Sequence, residues 1–414
     1  MPRNKNEFEQ VLERACGLDV HKETVVATIS GKGLETQTRT YSTMTHALKE
    51  LGQWLQENEV SDVAMESTGV YWKPVYHVLE EYELNIKLVN ARHIKNVPGR
   101  KTDKADSEWI SKLLLNGLLQ GSFVPPQEIR ELRDLSRYKK KLKEQIASEK
   151  NRIIRILEDA NIKLSSVVSD TSGVVATALI EGLLRGRKDL EKLIEENYHG
   201  KLKSSKELIK EALTGRIIEH HKFMIKTMKS NIAHLEKQVV KIEEEMEKIL
   251  KNYEEEINLL QTIPGVGKEG AIGIISEIGA DMKVFPDEHH LASWSGLSPG
   301  NNESAGKKKS SRTRQGNKHL KSLVCELAWG ATRTKGTYYR AKYESMIGRR
   351  GKKRALIAIG HKILCSAYHV IKSKQEYKEL GYDFLIERKK RNKIAFMTQQ
   401  LKTFGYKVEK VNAA

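Results

Sequence analysis

The segment from Ala15 to Ile29 reads ACGLDVHKETVVATI, and it decides the fold of the first domain. It contains two runs rich in apolar and β-branched residues, at 15–20 and 24–29, which a short polar turn separates. This pattern predicts a β-hairpin. A glycine-containing turn follows the second run and leads to a third predicted strand at residues 35–41. The first domain is therefore expected to begin with three consecutive strands.

Outward from this segment, helix and strand signals alternate. Leu48, Leu51, Trp54 and Leu55 lie at helical spacing and predict an amphipathic helix. A short buried strand is predicted next, at residues 62–66. The remaining predicted elements are a helix at 71–82, a strand at 86–89 and a helix that begins near Thr102. Three strands, a helix, a strand, a helix and a strand is the order of a ribonuclease H-like α/β domain, expected here over residues 1–125.

Residues 126–257 differ in composition, with almost no Gly or Pro in two long stretches and charge at most polar positions. They are predicted to form a helical arm. In the second stretch, apolar residues from Met228 to Tyr253 recur in alternating steps of four and three. This heptad seam predicts a coiled coil. The sequence leaves open whether the seam joins two chains or packs within one chain as an antiparallel helix pair.

A third, mainly helical domain is predicted over residues 258–372, followed by a basic tail at 373–414. The domain opens with TIPGVGK at residues 262–268, which is similar to the hairpin of a helix-hairpin-helix motif. Glycines there allow backbone N–H groups to approach a DNA phosphate closely. The candidate nucleic-acid contacts are Gly265, Gly267 and Lys268, and a tight turn without a ligand is the alternative. We expect the tail to be partly disordered, or helical when bound to nucleic acid.

Charge is distributed unevenly along the chain. The net charge is +18, and residues 301–414 alone contain 28 basic and 8 acidic residues. So concentrated a surplus indicates a polyanionic partner, because Lys and Arg displace counterions from phosphates. An anionic membrane is the competing partner, but no basic amphipathic helix with Trp or Phe anchors is evident. The sequence therefore favours nucleic acid, and no membrane partner is expected.

The cysteines exclude two kinds of small cross-linked fold. Cys16, Cys325 and Cys365 form no C-x-x-C pair, so neither a disulfide framework nor a zinc knuckle is encoded. The first ten residues also lack an apolar segment typical of a secretory signal. We therefore expect a cytoplasmic protein that is not secreted.

Four carboxylates stand out by position. Asp19 and Glu66 end predicted strands, where acidic residues are unusual, and Asp103 and Asp106 lie three residues apart at the start of a predicted helix. Four carboxylates at one sheet edge would repel one another unless cations lay between them. Oxygen ligands of this kind suit Mg²⁺ or Mn²⁺, which assist phosphoryl transfer. Singly, each has a simpler explanation, such as a turn residue or a helix cap.

A second candidate site lies in a basic segment that contains Ser304. Its hydroxyl could attack a phosphodiester, with nearby cations stabilising the developing charge. Those cations are Lys307, Lys308, Lys309, Arg312 and Arg314. From the residues alone, the segment is predicted to be a flexible loop, and a solvated basic loop without chemistry is the alternative.

Together these motifs make the chain similar to the insertion-sequence 110 family of DEDD transposases, the bridge-RNA-guided recombinases. The matching stretches are GLDVHK at 17–22, MESTGVYW at 65–72, NAR at 90–92, KTDKAD at 101–106, IPGVG at 263–267, WSGLSP at 294–299, SAGK at 304–307 and GN at 316–317. Their order and spacing are kept over residues 15–330. The tail beyond Lys372 matches no part of the family pattern.

The resemblance implies a RuvC-like domain whose four acidic residues fall on Asp19, Glu66, Asp103 and Asp106. It implies a coiled coil and a transposase domain whose serine, placed by the motif at Ser304, attacks double-stranded DNA. Ser310 and Ser311 are close alternatives. The family pattern also implies a homo-oligomer (a dimer or tetramer), an active site shared between subunits, a non-coding bridge RNA and action near the nucleoid of a prokaryotic cell.

Two other functions remain open on the sequence. One is a RuvC-like junction nuclease that uses metal-activated water, in which case Ser304 would play no part. The other is a non-catalytic architectural protein that binds DNA or RNA through the hairpin motif and the basic tail.

Overall fold

A computed structural model describes residues 10–67, 69–90, 106–198, 204–300, 302–304, 307–310, 313 and 315–408, with only the backbone at 302–304 and 307–310. The candidate residues Asp103, Ser311, Arg312 and Arg314 lie outside this description. The chain divides into two compact units, Met1–Val124 and Pro125–Ala414. The division of the second unit into arm, third domain and tail stays a prediction.

The first unit is built on a five-stranded mixed sheet. Its strand order is β3-β2-β1-β4-β5, with β2 antiparallel to β1 and β3, and with β4 parallel to β1 and β5. The strands are β1 (Arg14–Val20), β2 (Thr24–Gly31), β3 (Leu34–Ser42), β4 (Asp62–Glu66) and β5 (Asn85–Val89). The predicted succession of strands and helices is confirmed. Its two halves, an antiparallel meander and a parallel pair, meet at β1.

Helices cover both faces of this sheet. They are α1 (Thr45–Glu57), α2 (Trp72–Leu79) and α3 (Asp106–Leu115). Alternate residues of β1 point to opposite faces, so Cys16 and Leu18 join the core formed with α1 and α2, whereas Ala15 packs against α3. Helix α2 ends at Leu79, earlier than predicted, and a 3₁₀ turn at Glu80–Tyr82 follows it.

The second unit begins with two long helices, α4 (Gln127–Asp159) and α9 (Glu219–Leu250), which pack against each other. The pair is antiparallel. Near one end, Asn252 Nδ2 donates to Glu128 Oε1 at 2.6 Å, and near the other His221 Nε2 lies 2.9 Å from Asp159 Oδ2. The buried residues of the predicted seam are Met228, Ile232, Val239, Ile242 and Met246. The sequence left open whether the seam packs within one chain or between two. In the structure, it packs within one chain.

The described residues between α4 and α9 form four short helices. They are α5 (Leu164–Val167), α6 (Val174–Leu184), α7 (Leu190–Asn197) and α8 (Lys206–Leu213). Together with the adjoining turns of α4 and α9, they enclose an apolar core that includes Leu157, Leu179, Ile209 and Ile225. The arm therefore carries a small helical head at one end, which the sequence analysis did not predict.

The remainder of the second unit is mainly helical, as predicted. Its helices are α10 (Glu254–Gln261), α11 (Lys268–Ile278), α12 (Glu288–Trp294), α13 (Lys318–Ala331), α14 (Tyr338–Arg350) and α15 (Lys352–Ser373). A hairpin of β6 (Asn302–Ser304) and β7 (Lys307–Ser310) lies between α12 and α13 in sequence. Helix α15 packs against α12, α13 and α14. No helix in the described parts of the chain is long and apolar enough to cross a lipid bilayer.

The tail contains a further helix, α16 (Phe384–Thr403). Its first turn is held by the ring of Phe384 against Tyr338, with centroids 5.8 Å apart, and by a 2.6 Å bond from the preceding Tyr382 hydroxyl to Glu344. No residue of α16 is buried, and Ile394 and Phe396 are among its exposed apolar side chains. The described part of the tail thus contains a helix at 384–403, where partial disorder or helix formation on binding nucleic acid was expected.

Candidate active site

Asp19 and Glu66 lie at the same edge of the sheet. Leu18 of β1 is paired with Met65 of the parallel strand β4, and each of the two carboxylates is the next residue in its strand. Because side chains alternate along a strand, Asp19 shares the face of Ala15, and Glu66 shares the face of Ala64. Both small residues pack beneath α3. Two predicted site residues are therefore neighbours at the carboxyl ends of adjacent parallel strands.

Helix α3 brings Asp106 to this edge because Gly17 lets the helix approach β1 closely. A Cβ at residue 17 would lie 2.1 Å from the backbone oxygen of Ser107 and 2.4 Å from the amide nitrogen of Ser111. Buried hydroxyls fix the same contact, with Thr28 Oγ1 and Ser107 Oγ 2.7 Å apart. Asp106 is the first residue of the helix that is anchored in this way.

Electrostatics also indicate that the three carboxylates are close. Burial raises the pKa of Asp19, and the carboxylates of Asp106 and Glu66 raise it further, while His21 opposes the shift. The Nε2 atom of His21 lies 3.2 Å from Asp19 Oδ2. Sequence reasoning missed this contact, although His21 stands in the matching GLDVHK stretch. The structure thus brings together three of the four predicted acids.

The donor set fits a divalent cation. Carboxylate oxygens are the ligands that Mg²⁺ and Mn²⁺ prefer. Burial is the main cause of the raised pKa of Asp19, and a cation between these groups would relieve the repulsion by Asp106 and Glu66 that adds to it. Among the described residues, no group of three or more His, Cys, Asp or Glu side chains is by itself arranged to hold a metal ion. The fourth predicted acid, Asp103, lies outside the described residues.

Ser304 ends a β-strand, so the prediction of a flexible loop is wrong for the described backbone there. In the antiparallel hairpin, Ser304 is paired with Lys307 and Asn302 with Ser310, with an irregularity after Asn302. An isolated bridge between Pro299 and Thr313 continues the pairing outward. The basic side chains gave no apolar alternation from which a strand could be predicted. The hairpin holds the serine backbone at the end of β6.

A partly buried ion pair anchors the start of α13, the helix that follows this hairpin in sequence. Arg137 of α4 donates from Nε and Nη2 to the two carboxylate oxygens of Glu277, both at 2.8 Å. Asn317 Nδ2 donates to the same carboxylate at 2.6 Å, and its own side-chain oxygen caps α13. The Glu277 side chain is only 6% exposed. Sequence reasoning missed Arg137 and Glu277, and only Asn317 had a signal, in the matching GN pair.

The turn with the predicted phosphate-binding glycines is closely packed on one side. Gly265 has φ +86°, and a Cβ there would lie 2.5 Å from the amide nitrogen of Ala331. Packing against α13 therefore accounts for this glycine, as the tight-turn alternative expected. Gly267 and Lys268 are exposed at the start of α11, and the space beside Gly267 is open. A phosphate contact at this turn stays a prediction.

Comparison with known proteins gives two family matches. Residues 16–162 match a model of IS110-type DEDD transposases, and residues 257–344 match the model described as Transposase IS116/IS110/IS902 family. The first match includes all four predicted acids, and the second includes Ser304. No curated protein matches the chain. Two separate models of one family thus match in order along the sequence, and the chain belongs to the IS110 family of transposases, which cut and rejoin DNA.

Proposed function

We propose that this transposase cuts DNA by attack of the Ser304 hydroxyl on a phosphodiester, assisted by divalent metal at the sheet edge. The observation that carries the proposal is the convergence of Asp19, Glu66 and Asp106 where two parallel strands end. Carboxylates this close together repel one another, and a bound cation would offset that repulsion. The proposed ligands of Mg²⁺ or Mn²⁺ are Asp19, Glu66, Asp103 and Asp106.

The chemistry is divided among residues of the chain. Bound divalent ions would supply positive charge that favours the ionised form of a hydroxyl and stabilises a leaving oxygen. Ser304 would form the new bond to phosphorus, and a DNA oxygen would leave with the broken bond. His21, 3.2 Å from Asp19, would orient that carboxylate and keep it ionised. The ion pair of Arg137 with Glu277 would hold, through Asn317, the start of the helix that follows the serine hairpin in sequence.

We further propose a composite site, in which the acidic cluster of one subunit acts with the serine of another. Support for both this arrangement and a guiding bridge RNA comes from the family pattern. The basic surplus after residue 300 also agrees with a nucleic-acid partner. Double-stranded DNA is then contacted by the glycine turn and by the cations beside the hairpin. Those proposed contacts are Gly265, Gly267, Lys268, Lys307, Lys308, Lys309, Arg312 and Arg314.

The experiment that tests the serine is trapping of a covalent protein–DNA adduct. Wild-type chain, guide RNA and a labelled element end are incubated with Mg²⁺, denatured, and separated by size. We expect an adduct from wild type, and none from Ser304→Ala or from wild type in EDTA.

Ser310→Ala and Ser311→Ala are matched controls, and both should still form the adduct. Loss of the adduct in one of these controls, with Ser304→Ala unaffected, would move the nucleophile to that serine. Cleavage without any adduct would favour the junction nuclease that uses water.

A further inference from the structure

A large cleft lies between α14, α15 and α16, beside the hairpin. Its volume is about 1320 Å³, above the range typical of small-molecule pockets. Met346 and Ile357 contribute apolar side chains to its lining. Pro299 and Thr313 line it as well. Since these two residues form the bridge that continues the β6–β7 ladder, the cleft adjoins the base of the hairpin that carries Ser304.

The charge of the lining is of one sign. Its six Lys and Arg residues are Lys342, Arg349, Arg350, Arg354, Lys362 and Lys389. No Asp or Glu is among the described residues that line the cleft. Within the described part of the chain, none of the six forms a salt bridge. A cleft with cations of one sign over apolar walls concentrates the field and attracts an anion.

These cations also oppose one another. Burial lowers the pKa of Lys342, and the nearby charges of Lys362, Arg388 and Lys389 lower it further. The chain thus holds like charges together, and among the described residues the Tyr338 ring, 5.9 Å from Lys362 Nζ, offsets one of them only weakly. An anionic ligand would remove this repulsion.

The local helix geometry adds to the attraction. Arg349 and Arg350 end α14, and Gly351, with φ +76°, joins this helix directly to α15. The first turn of α15 contains Arg354 and no acidic residue. Cations at a helix N-terminus are unfavourable beside the positive end of the helix dipole. An anion at the joint would satisfy both the exposed N–H groups and the arginines.

We propose that this cleft binds the phosphodiester backbone of the DNA that Ser304 attacks. The inference rests on the proposed function only in naming Ser304 as the reacting residue. The binding of DNA is argued from the cleft itself. A polymer suits the volume better than a small ligand does. The cleft lies beside the hairpin that carries Ser304, which favours the DNA strand under attack over a guide RNA bound elsewhere. The arginines and lysines would thus position the substrate without touching the reacting atoms.

Binding can be measured apart from catalysis. The full chain with Ser304→Ala is titrated with a fluorescent duplex DNA of mixed sequence over a range of salt concentrations. The cleft variant replaces Arg349, Arg350 and Arg354, all exposed, by Gln. The control replaces Lys226, Lys237 and Lys241, exposed on α9, by Gln, and so changes the net charge equally.

We expect the cleft variant to bind DNA more weakly than the control does. The slope of log affinity against log salt should become shallower by about 2 to 3, because each phosphate contact contributes about 0.9. Thermal melting should be unchanged, since the three side chains are exposed. A single-stranded RNA of the same length is titrated in parallel.

Three results would overturn the cleft proposal: unchanged DNA affinity, a loss equal to that of the control, or a loss confined to the RNA. The serine proposal fails separately. If wild type forms no covalent adduct but the cleft variant still loses DNA affinity, the cleft stands and the nucleophile is wrong. The same three Arg→Gln substitutions are also made in the chain that keeps Ser304. If that chain forms the adduct normally and DNA affinity is unchanged, the serine proposal stands and the cleft proposal is wrong.

Discussion

At the scale of single residues, the acidic cluster depends on two residues of β1, one that lets a helix approach and one that adds a negative charge. Gly17 has no side chain, and this allows α3 to lie against β1 with Ser107 in backbone contact range. Asp19, two residues later, places a partly buried carboxylate beside Asp106 and Glu66. Close approach of the helix is thus what brings the like charges together. Gly17 thus sets the distance between helix and strand, and Asp19 is the residue whose ionised form is disfavoured there.

Asp19→Asn should therefore stabilise the metal-free fold while abolishing DNA cleavage. Since the pKa of Asp19 is raised in the folded state, ionisation of this group destabilises the fold as pH rises above its ordinary value of 3.8. Asn cannot ionise, so the variant should unfold at a higher temperature than wild type in EDTA at neutral pH. The difference should vanish in acid, below the ordinary pKa, where Asp19 is protonated in both states.

The melting temperatures of wild type and Asp19→Asn are also compared after Mg²⁺ is added. Mg²⁺ should raise the melting temperature of wild type more than that of Asp19→Asn, because the variant loses a proposed ligand. A variant that cleaves normally, or that gains as much stability from Mg²⁺ as wild type does, would contradict the metal assignment.

Not all of the residue-scale arrangement could be predicted from the sequence. The positions of Asp19 and Glu66 could be predicted, because acidic residues at the ends of apolar strands are unusual and the strand order brings such ends together. The contact of His21 with Asp19 could not, because it depends on how the chain turns after β1. The ion pair of Arg137 with Glu277 could not either, since 140 residues separate the partners.

At the scale of elements, a heptad seam gives the periodicity of a helix pair but not its partner. The seam of α9 lies against α4 of the same chain because the helical head returns the chain in the antiparallel direction. The head was missed because its short helices lie within residues 126–257, which the sequence analysis took as one continuous helical arm. The serine hairpin was missed for a different reason, namely that backbone pairing forms its strands without an apolar alternation.

Ile242→Lys should therefore weaken the arm itself. Ile242 is 9% exposed in the seam, and an uncompensated buried charge there should cost roughly 3 kcal/mol or more of unfolding free energy. Val240→Lys is the matched control, since Val240 is 52% exposed on the same helix and should change stability little. Urea unfolding followed by circular dichroism measures both variants. Equal stability of the two would mean that the seam is not packed as described.

At the scale of the whole molecule, the residues of the proposed chemistry are divided between the two compact units. The acidic cluster belongs to the unit that ends at Val124, and Ser304 belongs to the unit that begins at Pro125. A site shared between subunits would make assembly a condition for cleavage, because each complete site would then need the metal ligands of one chain and the serine of another. Single, unassembled chains would then not cut DNA.

Mixing two inactive variants tests whether subunits share the site. Ser304→Ala lacks the proposed nucleophile, and Asp19→Ala lacks a proposed metal ligand. In a shared site, one of the two active sites of a mixed dimer would join an intact serine to an intact cluster. Random exchange of subunits should then restore about a quarter of the wild-type strand exchange. If each site were formed within one chain, no mixed dimer would contain an intact site, and the mixture would stay as inactive as its components.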